Sequence, residues 1–167
     1  MYIMVDNLKT LGQVAKHLGV AEHRLIHLCE SGVVDPVQDA SGRGTVRRFD
    51  GANVLAFALS LELQGWGMQV DSLRRVVRLM LRVSDKLREK GDNRDLISAV
   101  AEEADGLMAT FFLPDLVVFE NVTGYVLALK LDDQGQPHPC ENQVSWPEGQ
   151  VSSLRVNLQA LARRLRP

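Results

Sequence analysis

Thr10-Leu-Gly-Gln-Val-Ala-Lys-His-Leu-Gly-Val20 and, after one further helical stretch, Gly42-Arg-Gly-Thr-Val-Arg-Arg-Phe-Asp50 are the two segments whose reading decides the fold. Thr10 followed three residues on by Gln13 is a capping box, and Leu11, Val14, Ala15 and Leu18 then line one helical face. Gly19 ends that helix, because the left-handed position after a helix favours a residue without Cβ. A second helix is predicted from about Ala21 to Ser31, burying Leu25, Leu28 and Cys29, and Gly32 stops it. Two short helices across a tight glycine-containing turn make a helix-turn-helix. The segment from Val37 to Phe49 alternates apolar and polar residues around Ser41-Gly42-Arg43-Gly44, which predicts a β-hairpin, or wing.

Working outward, Asp50 is placed to cap a third helix, from about Ala52 to Gln64, which Gly65-Trp66-Gly67 breaks. A fourth begins near Val70, buries Leu73, Val76, Val77 and Met80, and extends towards Lys90. Gly91-Asp92-Asn93 marks a boundary. Beyond it, Leu96, Val100, Ala104, Leu107, Met108 and Phe111 share a helical spacing, so a connecting helix of about five turns is expected over 91–113. After Pro114 the period changes: Leu116–Glu120, Tyr125–Leu131 and Val151–Val156 read as strands, and Asn157 as the cap of a last helix to Arg166. The expected class is α+β. It comprises a winged helix-turn-helix domain over 1–90, the connecting helix over 91–113 and a small α/β domain over 114–167.

Composition limits the functions on offer. The net charge of −2 excludes a polycationic chain, but it conceals a split. Residues 1–90 hold thirteen Lys and Arg against ten Asp and Glu, whereas 91–167 hold six against eleven. A mildly basic front joined to an acidic back suits a nucleic-acid module attached to something else. There is no GxSxG, HExxH or phosphate-loop pattern, so no enzyme is expected. Glu102-Glu103 and Asp132-Asp133 read as a solvated helix face and a turn. Cys29 and Cys140 form no CxxC pair, and with only His138 near Cys140 no metal site and no cofactor are expected. Without a long apolar run or a basic-then-apolar leader, a cytoplasmic protein with no membrane partner is expected. Phe111, Phe112, Phe119, Tyr125 and Trp146 are about what a small core consumes, not the lining of a promiscuous pocket.

The order Thr10-Leu-Gly-Gln-Val-Ala, Gly19-Val20, Leu25 and Glu30-Ser-Gly-Val-Val34 resembles the opening of the MerR family. Arg47-Arg-Phe49 before Asp50 is similar to the family's wing end, and Leu63-Gln-Gly-Trp-Gly-Met68 to the break before its fourth helix. The resemblance covers about residues 8–80. It implies a homodimeric transcription regulator that binds pseudo-palindromic double-stranded DNA, with RNA polymerase or a small-molecule or protein effector as further partners. The second helix, 21–31, would enter the major groove and the wing, 37–49, would lie on the backbone. Carried over by position, DNA contact falls to Thr10, His23, Arg24, His27, Arg43, Arg47 and Arg48. Family analogy gives dimerisation to the stripe Leu96, Val100, Ala104, Leu107, Met108 and Phe111, or to the end of the fourth helix. The second helix departs from the family: Ile26-His-Leu-Cys29 stands where Arg-Tyr-Tyr-Glu is usual. That departure keeps two alternatives open: an interaction adaptor that has lost DNA recognition, and an excisionase-like factor that bends DNA.

Overall fold

The computed structural model describes residues 8–40, 42, 45–89, 96–102, 107–112, 116–121, 124–139 and 153–166. Its first helices are α1, Leu11–Leu18, and α2, Glu22–Glu30. The Thr10 hydroxyl accepts from the Gln13 amide at 3.3 Å while the Gln13 side chain accepts from the Thr10 amide at 2.8 Å, closing the capping box. Gly19 takes φ +66°, and the Val20 amide then reaches back to the Ala15 carbonyl at 3.0 Å. That geometry lets α2 begin two residues later, folded back on α1.

Helix α3, Gly51–Gly65, is buried on every side from Ala52 to Ser60, as only a central helix can be. Asp50 caps it by accepting from the Asn53 amide at 2.9 Å, and the Asn53 amide side chain donates to the Asp35 carbonyl at 2.9 Å. One residue thus closes the helix end and ties down the start of the wing. Helix α4, Val70–Glu89, packs on α3 through Leu73, Val76, Val77 and Met80. The Arg74 guanidinium on α4 donates to the Ser31 carbonyl at 2.6 Å, which holds the end of α2.

The region after residue 95 differs from the sequence expectation. Helix α5 is short, Leu96–Glu102, and Met108–Phe112 is a strand, β1. It joins β2 (Leu116–Asn121), β3 (Gly124–Leu131), β4 (Pro137–Pro139) and β5 (Leu154–Asn157) in an antiparallel sheet of order β4-β3-β2-β1-β5. Helix α6, Leu158–Arg164, follows at once, with the Asn157 side chain accepting from the Ala160 amide at 2.8 Å. The expected connecting helix over 91–113 is therefore corrected. Leu107, Met108 and Phe111 fit a helical period, but Leu107, Ala109 and Phe111 fit an alternating one equally well. Strand partners on both sides, β2 and β5, decide for the strand.

Alternate residues Ala109, Phe111, Val117, Leu129 and Leu131 turn one face of the sheet to the helices. These residues share one continuous core with Leu25, Phe49, Phe57 and Leu59 from the first half. Further ties are specific. Arg78 on α4 donates to the Gly135 carbonyl in the β3–β4 turn at 2.8 Å. Arg163 on α6 donates to the Ala101 carbonyl on α5 at 3.2 Å, and Arg166 pairs with Glu102.

Most of the stripe expected to dimerise is packed inside the protomer. Leu96, Val100, Leu107 and Phe111 are buried within a single chain, and Met108 is half-buried. α3 and α6 both pack on α5. Ala104 lies outside the described residues. No helix among the described residues is long and apolar enough to cross a membrane.

Candidate nucleic-acid interface

The inward side of α2 is set by Leu25 and Leu28, with Cys29 half-buried beside them. At about 100° per residue, the opposite side centres on His23, His27 and Glu30, all exposed. Arg24 falls on one flank and Ile26, 37% exposed, on the other. The arrangement provides two imidazoles, one carboxylate and a flanking guanidinium. Those groups can donate to guanine or phosphate and accept from a cytosine amine. Glu30 was not singled out by sequence; the helical arithmetic that placed His23 and His27 would have found it.

The wing is pinned more sparingly than a regular hairpin. Among the described residues of the wing one bridge joins Gln38 and Arg48, whose backbones exchange hydrogen bonds of 3.3 and 2.9 Å. The next residue, Phe49, pairs with Lys9 through two bonds of 2.9 Å. The returning strand is thus fastened on both sides near its base, and the buried Phe49 ring meets Phe57 edge-on, with centroids 5.3 Å apart. Val37 and Val46 are more than half exposed, so little apolar surface is gained by zipping the wing further. At the tip, the Thr45 hydroxyl donates to the Gly42 carbonyl at 2.8 Å. Arg43 lies outside the described residues.

Arg47 is exposed and pairs with Asp39 across the wing at 3.1 Å. The Asp39 carboxyl is held below the usual carboxylate range, first by the Ala40 amide and then by Arg47. Arg48 is half-buried next to it. Thr10 is half-buried and its hydroxyl is engaged at the α1 cap. The residues singled out from sequence therefore separate into a helix group, His23 and His27 with Arg24 at the edge, and a wing group, Arg47 and Arg48.

Cys29 faces the wing side, within the electrostatic reach of Arg47, Asp35 and Asp39. Burial pushes its thiol up to about 11, reinforced by Asp35, Glu30 and Asp39 and opposed by Arg47. A thiol of that kind is a poor nucleophile and a poor ligand. Among the described residues no three His, Cys, Asp or Glu converge on a metal position. Because the folded chain keeps a proton that the unfolded chain sheds near 9, stability should fall as pH rises from about 9 to about 11. Iodoacetamide at pH 8 should modify Cys29 far more slowly in the native protein than in urea. Equal rates in the two states would contradict the burial argument.

Residues 9–79 match the family model described as MerR HTH family regulatory protein. No curated protein matches the chain. The matched span runs from the Lys9–Phe49 pairing through α1, α2, the wing and α3 into the first half of α4. It thus includes every described residue of the helix and wing groups. With both the helix pair and the wing in place, residues 9–79 are a MerR-family helix-turn-helix domain, the DNA-binding module of a family of transcription regulators.

Proposed function

We propose that this chain regulates transcription by binding duplex DNA as a homodimer. Each protomer lays α2 in a major groove and rests the wing, 37–49, on the adjoining phosphates. The reading is supported by the exposed His23–His27 face of α2 together with an exposed Arg47 on a wing whose base is fastened to the start of α1 by the Lys9–Phe49 pair. Base edges are read by side chains in the groove, while phosphate contacts set register. Arg24, Arg47 and Arg48 supply positive charge to such a contact, and the His23 and His27 rings supply further hydrogen-bond donors.

Two observations favour a weaker binder or an adaptor as the second reading. Ile26 presents an apolar side chain where the family usually has arginine, and Asp39 already occupies Arg47. Fluorescence anisotropy with random-sequence duplexes across a salt series, followed by sequencing of the bound fraction, separates the readings. A dimeric regulator enriches an inverted repeat, with half-sites about one helical turn apart or a multiple of it. Absence of binding at low salt leaves the adaptor.

A further inference from the structure

A cavity of about 460 Å³ lies where the α1–α2 turn, the end of α3 and α6 meet. Its volume is in the range of small-molecule clefts, roughly 300–1,000 Å³. Leu18, Leu61 and Leu161 supply apolar wall, and Arg24, Arg164 and Glu62 supply charge. Trp66 stands at its edge, 77% exposed, so most of its indole surface is uncovered. His17 closes one side, its Nε2 donating to the Leu165 carbonyl at 2.8 Å, which fixes α6 against α1.

We infer that this cavity is a binding site for a planar aromatic monoanion. The two guanidiniums outnumber the one carboxylate. Glu62 reaches Arg164 only at 3.8 Å, with the Arg164 side chain 75% exposed, so that pair is loose. A ligand carboxylate or sulfonate makes shorter, two-pronged bonds to a guanidinium. Its ring would cover the indole of Trp66 and fill the apolar wall, gaining stacking and burial together. Neutral aromatics would satisfy the wall alone and leave the cations without a partner.

Arg24 gives the site a consequence. It lines the cavity and also flanks the reading face of α2, so one guanidinium serves both ligands. Occupancy should therefore weaken DNA binding, and DNA should weaken occupancy by the same factor. This coupling rests on the DNA-binding reading above; occupancy itself does not.

The test uses the full chain with the fluorescent anion 8-anilinonaphthalene-1-sulfonate and its uncharged counterpart N-phenyl-1-naphthylamine. The anion should saturate at one per chain and bind about tenfold more tightly than the neutral dye, since only it engages the guanidiniums. Arg164→Gln should remove most of that difference, Arg164→Lys should restore part of it, and Trp66→Ala should weaken both dyes. Thermal melts establish that each variant is folded. Equal affinity of the two dyes, anion binding unchanged in both Arg164→Gln and Trp66→Ala, or binding that never saturates would overturn the assignment. Anion bound at one per chain with DNA affinity unaffected would overturn the coupling alone. Anion bound by a protein with no DNA affinity would uphold the site and remove the DNA reading.

Discussion

Truncating Phe111 to alanine is expected to destabilise the whole chain, the helix-turn-helix included, by about 3–5 kcal/mol. Phe111 is fully buried at the middle of β1, opposite Val117 on β2 and Leu154 on β5. Its ring belongs to the same continuous core as Leu25 on α2 and Phe57 on α3. Helix α3 contacts α2 and α4 on the side of the matched domain and α5 and α6 on the other. A void under the sheet therefore loosens the packing of the helix on which α2 rests. Domain stabilities of about 5–15 kcal/mol leave little to spare after such a loss. Native-state hydrogen exchange should show protection falling together in α1, α3 and β1, with a single cooperative denaturant transition. If α1 and α3 keep wild-type protection while β1 loses its own, the two halves are independent units and the shared core contributes little.

Replacing Arg47 and Arg48 together by alanine is expected to lower DNA affinity by about a hundredfold near 0.1 M salt, at about 1.5 kcal/mol for each charged hydrogen bond to phosphate. The slope of log affinity against log salt should shrink by about 0.9 for every phosphate left without its guanidinium. The Gln38–Arg48 bridge and the neighbouring Lys9–Phe49 bridge fix the backbone that carries both arginines, so ordering that backbone on DNA costs little further entropy. Asp39 opposes them, because its carboxylate accepts from Arg47 at 3.1 Å. Asp39→Asn should consequently raise affinity at low salt, by about threefold given the small worth of exposed pairs, with the gain fading as salt screens it. Unchanged affinity and salt slope in the double alanine variant would leave the wing without a role on DNA and turn the reading to the adaptor.

Where sequence and structure agree, the determinants are local. The capping pairs Thr10–Gln13 and Asp50–Asn53, the Asn157 cap and the positive φ of Gly19 each act within a few residues, and each was legible as a spacing or a residue type. The change of period at 116–120 and 125–131 likewise announced β2 and β3. The connecting helix failed because 107–111 satisfies two periods at once, helical through Leu107, Met108 and Phe111 and alternating through Leu107, Ala109 and Phe111. The choice between them lay with β2 and β5, the latter more than forty residues away in the chain. The mixed helix-and-strand tail was expected, and the antiparallel pairing of β3 with β4 follows from the tight Asp132–Gly135 turn that joins them.

The helix-turn-helix, its caps and the identity of its outward residues were thus determined by the sequence itself, since short-range hydrogen bonds and helical periodicity are enough to specify them. Which apolar residues are free for a partner, where Arg24 lies relative to α6, and the existence of the cavity beside Trp66 were decided by tertiary structure alone. They depend on pairings such as His17 with Leu165, separated by 148 positions, and no local pattern encodes the packing that brings such residues together.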